Sequence, residues 1–300
     1  MDTIQENVQS QPTSLKRRKL RMPYERNFAQ VCILTVVIFC LVFSFLPLFL
    51  TVVNAFKPDI DVQTNAFSFP KLASFMQAAK DNFTTAWAAI GDRYFTTILV
   101  ALLGAIGQTV ISAMLAYILT FKDFYFKDAV FMLFIAVLLV PSIIGYPILL
   151  PLIRDKFGLA NSHFGYLLPI VGGGQVTGMF LFKTFFSQQP KSLYESAKLD
   201  GANDAVILVK ITVPLALPII LYHFVGCFSG IYNEYLWASL LLSGDKQTLA
   251  NTMESAVSNM DVKYGSMYAM YLLSSFPLII TVIISMKYFK SGEFAAGLKL

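Results

Sequence analysis

Of the 300 residues, 56% are hydrophobic and 14% are charged, against about 45–50% and about 25% in an ordinary soluble domain. The 23 basic and 18 acidic residues leave a net charge of +5, yet six runs (27–56, 94–121, 129–153, 157–182, 211–233 and 264–286) hold no Asp, Glu, Lys or Arg. Each run is 23 to 30 residues long, and roughly 20 helical residues at about 1.5 Å each cross a hydrocarbon core of about 30 Å. Most soluble folds are excluded. The expected fold is all-α and integral to a membrane, with six transmembrane helices.

Residues 1–28 form the expected N-terminal tail. They carry no short apolar core with a small-residue cleavage site, so the first span is expected to remain as an uncleaved anchor. Lys16, Arg17, Arg18, Lys19, Arg21 and Arg26 crowd against that span. The tail, the loop around 122–128, the segment 183–210 and the C-terminal tail together hold 15 basic residues, and the alternate loops hold 8. This bias places both termini in the cytoplasm. No aromatic-interleaved basic domain accompanies the cluster, so no nucleic-acid partner is expected. The spans and their loops occupy 29–290, with a cytoplasmic loop at 187–209 and a tail at 291–300.

Proline and glycine punctuate the spans: Pro141, Pro147 and Pro151 in the third, Gly172, Gly173 and Gly174 in the fourth, Pro214 and Pro218 in the fifth, and Pro277 in the sixth. Membranes tolerate such residues where neighbouring helices or water satisfy the backbone. Gly174 with Gly178, and Gly226 with Gly230, are spaced for close helix approach. Ordinary packing and a bundle built to bend both fit these positions. Cys32, Cys40 and Cys227 lie inside runs and read as small packing residues.

Chemistry is sparse. His223 sits alone in the fifth span and reads as a hydrogen-bonded packing group, and Glu234 reads as interfacial. No phosphate-cradling loop, metal-ligand pair or nucleophile elbow is present. A proton- or sodium-coupled carrier wants carboxylates at depth, and the runs supply none. Energy for uphill movement would have to come from another subunit.

The segment between spans four and five is the most informative. Ser192 with Glu195 has capping-box spacing, Pro190 stops helix from running through, and Gly201 suits the left-handed position after a helix. A helix over 193–199 is expected, with Asp200 or Asn203 capping the next one. Leu193 and Ala197 would share an apolar face ringed by Tyr194, Glu195 and Lys198.

Glu195, Ser196, Ala197, Asp200, Gly201 and Ala202, with Ile211, Pro214 and Pro218 following, resemble the E-A-A-x-x-x-G motif of ABC importer permeases, most closely the maltose-type permease of carbohydrate importers. Tyr232, Asn233, Glu234, Tyr235, Leu236 and Trp237 are similar to that family's aromatic-Asn-acidic-aromatic-Leu-Trp stretch. The end of the chain, from Phe289 through Gly292 to Gly297 and Lys299, resembles its closing F-x-x-G-x-x-x-G-x-x-K, with Gly297 one position beyond the second glycine. Ser196, Tyr194 and Leu208 depart from the family's usual alanine, acidic residue and phenylalanine.

The resemblance implies a non-enzymatic subunit in a bacterial-type plasma membrane. Its partners would be a homologous second permease, two copies of a cytoplasmic ATPase and an extracellular sugar-binding protein. ATP and Mg would bind the ATPase, with no cofactor or metal on this chain. Leu193, Tyr194, Glu195, Ser196, Ala197, Asp200, Gly201 and Ala202 would dock the ATPase as a coupling helix, joined by the tail around 292–299. The loop 243–263 would meet the binding protein. Tyr146, Gln175, Tyr222, Asn233 and Tyr235 are candidates by type and depth for a sugar pathway, although each also fits helix packing or an aromatic belt. A neutral sugar suits spans without basic groups. The competing expectations are another cargo (polyamine, amino acid or glycerol phosphate) and an autonomous channel or scaffold without an ATPase.

Overall fold

The structure is a computed structural model in which residues 24–258 and 263–297 are described, with side chains described for residues 28, 30–258 and 263–287. Lys16, Arg17, Arg18, Lys19 and Arg21, the side chain of Arg26 and the side chains of the C-terminal motif lie outside the described residues. No strand occurs among those described. The chain divides into two units at Phe49 and Leu50. The first holds most of α1 (Tyr24–Ala55), whose described side chains there are almost all exposed, as on a lipid-facing helix.

The second unit is a helical bundle. After α2 (Asp59–Thr64), the 50-residue α3 (Leu72–Phe121) forms its spine. The uncharged run predicted a span from residue 94, and the helix begins 22 residues earlier, carrying Lys80, Asp81, Asp92 and Arg93. Nothing in 72–93 breaks a helix: proline is absent and the single glycine is tolerated. Asn82 explains why this extension holds. Its Nδ2 donates to the carbonyls of Ala55 and Lys57 at 2.9 and 2.8 Å, closing the end of α1.

Lys57 is fully buried beside it. Its ammonium donates to Asn54 Oδ1 (3.0 Å) and to the carbonyls of Asn65 (3.2 Å) and Ala66 (3.0 Å). Burial pulls its pKa below the usual lysine range, and Asp61 opposes part of that shift. Lys57→Met is expected to cost about 1–3 kcal/mol by stranding those acceptors. Lys71→Met, which removes an exposed pair with Asp61, is expected to cost less than about 1 kcal/mol. Thermal denaturation in detergent separates the two; equal losses would contradict the buried arrangement.

Among the described residues four helices are long and apolar enough to cross a membrane: Gln30–Ala55, Leu72–Phe121, His163–Phe186 and Tyr264–Lys287. The third and fifth uncharged runs do not form single straight helices. α4 (Lys127–Leu138) meets a 3-10 turn (Ser142–Gly145), α5 (Tyr146–Pro151) and a π segment (Leu152–Lys156) at 92°. Pro141 stands at that corner, lacking an amide to continue the helix.

α6 (His163–Phe186) and α7 (Lys191–Leu199) follow. Then α8 (Asp204–Ile207), a π segment (Leu208–Thr212) and α9 (Val213–Leu215) meet α10 (Leu217–Asn233) at 86° about Ala216. Pro218 cannot donate to the carbonyl four residues back and restricts Leu217, so the axis turns there. α11 (Leu236–Leu241), α12 (Leu249–Ser258) and α13 (Tyr264–Gly297) complete the chain. Among the described residues the span count is four, or up to six when each bent pair counts as one.

α3 packs chiefly on α6, α10 and α13. Gly178 on α6 makes a close fit: a Cβ there would lie 2.2 Å from His223 Nε2. His223 faces Phe182 at 5.1 Å between ring centroids, and its Nδ1 lies 3.4 Å from Thr109 Oγ1 and 3.2 Å from Cys227 Sγ. Gly174 meets Gln108 in the same way, whereas Gly226 and Gly230 have nothing within 4 Å. Gly178→Ala is expected to destabilise by about 1–3 kcal/mol through overpacking. His223→Ala should relieve it, giving a coupling of at least about 1 kcal/mol in a double-mutant cycle of thermal stability. Additive losses would mean that the two groups do not touch.

Candidate functional site

α7 is packed against one end of the bundle. Pro190 is its N-cap, with extended backbone (φ −61°, ψ 121°), and no side-chain capping bond forms. The expected Ser192–Glu195 capping box is therefore absent: Pro190 starts the helix at Lys191, leaving Ser192 inside its first turn. At the other end Gly201 takes φ +81°. Its amide donates to Lys198 O at 3.0 Å, and Ala202 N donates to Ala197 O at 2.9 Å. These are the two bonds of a Schellman stop. Of the two caps considered for the following helix, Asn203 takes the role, accepting from Val206 N at 2.9 Å.

The inward face of α7 is Tyr194 and Ala197, in a cluster with Phe186 and Ile207. The Tyr194 ring lies 4.0 Å from that of Phe121 at the end of α3, and its hydroxyl donates to Gln189 Oε1. Burial pushes the Tyr194 phenol up, with a hydrogen bond from Thr212 opposing it. The Leu193/Ala197 knob does not form, because Ala197 turns inward while Leu193 remains 43% exposed. Of the eight residues expected to dock a partner, Leu193, Glu195, Ser196, Asp200 and Gly201 are exposed, Ala202 is half-buried, and Tyr194 and Ala197 are occupied by their own core. Leu199, which the motif did not single out, is 89% exposed. Asp204 fastens the segment to α3, accepting from Lys122 Nζ at 2.6 Å and Tyr117 Oη at 3.1 Å.

Toward the other end, α10, α12 and α13 enclose an open cleft of about 480 Å³, within the usual size of a small-ligand site. Asn233 and Tyr235 line it, joined by Tyr232, Glu254, Tyr271, Ser274 and Ser275. The other three pathway candidates are not among its lining residues. Tyr146 packs on Trp237 at 5.1 Å, and Tyr222 is exposed elsewhere on α10. Gln175 lies half-buried on α6, its carbonyl accepting from Ser112 Oγ at 2.8 Å. The sequence reading missed the α13 residues, although Tyr271, Ser274, Ser275 and Leu278 recur at helical spacing and put hydroxyls on one face of an apolar run.

Of the stretch from Tyr232 to Trp237, Tyr232, Asn233 and Tyr235 line this cleft. α10 ends at Asn233, and Glu234 Oε1 accepts from Trp237 N at 2.8 Å, capping the start of α11. Trp237 is 1% exposed and donates from Nε1 to Tyr166 O at 3.1 Å. Tyr166 Oη donates in turn to Ile231 O, an end carbonyl of α10. Glu234 is thus a structural cap. The acidic residue of the motif serves the junction between α10 and α11.

A bent membrane bundle with a short helix fixed at one end and an open cleft toward the other is the architecture of a membrane transport subunit. Residues 108–292, more than half of the chain, match the family described as binding-protein-dependent transport system inner membrane component. The chain belongs to that family.

Among curated relatives, the diacetylchitobiose uptake system permease protein NgcG of Streptomyces coelicolor is 25% identical over 85% of this chain and 84% of its own length. The maltodextrin transport system permease protein MalD of Streptococcus pneumoniae is 28% identical over 84% and 89%. The inner membrane ABC transporter permease protein YcjP of Escherichia coli is 32% identical over 52% of this chain; that match spans 56% of its length. A chain of a bacterial ABC transporter involved in import of the acidic polysaccharide alginate shares the fold, with a TM-score of 0.72 and 19% identity over 89% of this chain and 98% of that one.

Proposed function

We propose that this chain is a permease subunit of an ATP-driven importer for a sugar or oligosaccharide, crossing the membrane six times with both termini cytoplasmic. Its partners are a homologous second permease, two ATPase copies that bind ATP and Mg, and an extracellular sugar-binding protein. The observation that carries the reading is α7: Tyr194 and Ala197 anchor it, while Leu193, Glu195 and Leu199 stay exposed on the same helix. Apolar groups held outward on a rigid mount suit a protein partner. The printed carbohydrate cargoes of the NgcG and MalD relatives support the sugar assignment.

In this reading each bent pair is one span, and 29–290 form the membrane domain between cytoplasmic tails. Closure of the ATPases moves α7, and the Tyr194–Phe121 contact and the Asp204–Lys122 pair carry that movement into α3. The chain couples; it does no bond chemistry itself. The test is mild-detergent extraction of the tagged chain at native level with identification of co-purifying proteins. An ATPase and a second permease in comparable amounts are expected. The chain alone, under conditions that keep a known importer intact, would favour an autonomous channel or scaffold.

A further inference from the structure

We infer that the cleft between α10, α12 and α13 is a saccharide subsite on this chain, and that Glu254 makes it select neutral or cationic sugars over uronates. The inference rests on the permease reading and adds the cargo's charge. Three features of the lining carry it. Tyr235 and Tyr271 are half-exposed, at 50% and 41%, so ring surface is available for the apolar C–H face of a pyranose. Asn233, Ser274 and Ser275 provide neutral hydrogen-bonding groups along the same wall. Among the described lining residues Glu254 is the one that carries charge, with no Lys, Arg or His beside it.

The Glu254 carboxylate is exposed, and one oxygen, Oε1, accepts from Ser258 Oγ at 2.8 Å. Its other oxygen is an acceptor for sugar hydroxyls, which a carboxylate binds more strongly than a neutral acceptor does. The same charge repels a carboxylate carried by the cargo. A site for acidic saccharides would need basic groups where this cleft has an acid, so the cargo differs in charge from the alginate that the solved relative's transporter imports.

The test uses the full chain with its co-purifying partners in lipid nanodiscs. Cys32, Cys40 and Cys227 are replaced by Ala, and Ser274→Cys is the reporter. Modification rates are measured with a cationic and an anionic methanethiosulfonate of similar size. The cation is expected to react several-fold faster, Glu254→Gln to lower that preference at least about threefold, and Glu254→Asp to keep it. Maltotriose, cellotriose and trigalacturonate are then added as probes. At least one neutral trisaccharide should slow modification, with trigalacturonate protecting only in Glu254→Gln.

An unchanged charge preference in Glu254→Gln would overturn the charge filter. So would protection by trigalacturonate in the chain that keeps Glu254. Protection by none of the three would overturn the subsite. Failure of the permease reading shows separately, as no ATPase in the purified assembly, whatever the labelling rates.

Discussion

Trp237→Ala is expected to destabilise the chain by about 3–5 kcal/mol, the usual cost of truncating a buried aromatic. Trp237 is 1% exposed, in a cluster with Ile153, Tyr166, Phe228 and Leu249. Its indole donates to Tyr166 O and its ring packs on Tyr146. The loss should be mostly volume, because Tyr166 O lies inside α6, where the helix also supplies a donor. Trp237→Phe, which retains most of that volume, should therefore cost less than half as much. Glu234→Gln keeps an acceptor for Trp237 N and should cost under about 1 kcal/mol. Thermal denaturation in detergent ranks the three. A small loss for Trp237→Ala would mean that α11 is not pinned as described, and a Phe variant as damaging as Ala would transfer the effect to the hydrogen bond.

Those residues also show what a sequence of this kind discloses. Uncharged runs locate membrane-crossing stretches because charge is so costly in hydrocarbon that its absence is itself a pattern. They say nothing of where a helix begins outside the hydrocarbon. α3 runs on through Asp92, Arg93 and Lys80 because helix formation does not depend on polarity, and only Asn82's bonds to the end of α1 reveal why it stays packed. Proline likewise marks Pro141 and Pro218 as places of possible bending, while the angles of 92° and 86° depend on packing that periodicity does not encode.

Candidate residues divide along the same line. Gly201 was legible because a backbone requirement is written into one residue type. The Leu193/Ala197 face was misread because α7 begins under Pro190 and rotates Tyr194, not Leu193, onto Phe121. Asn233 and Tyr235 reach the cleft, and Tyr146, Gln175 and Tyr222 do not line it, since residue type and depth leave the direction of a side chain open. Glu254 was hidden within a loop assigned to a partner. Its position becomes informative only when α12 is laid beside α13.

Gly201→Val is expected to reduce ATP-dependent uptake at least tenfold while leaving the amount of chain in the membrane unchanged. A Cβ at Gly201 meets nothing within 4 Å, so steric space is not the constraint. The constraint is φ +81°, which costs an ordinary L-residue about 1–2 kcal/mol and a β-branched one more. That strain is relieved by opening the turn, and opening it breaks the Gly201 N to Lys198 O and Ala202 N to Ala197 O bonds together. Asn203 then loses its register on α8, and Asp204 its place beside Lys122 and Tyr117, so α7 is no longer held to α3. The transmembrane helices should insert regardless, because their apolar runs are untouched. Gly201→Asn is the discriminating control: asparagine enters the left-handed region at low cost, and uptake should remain within about threefold of the parent. Equal loss in Asn and Val would assign Gly201 to direct contact with the ATPase, whereas full activity in Val would mean that α7 needs no fixed stop to couple.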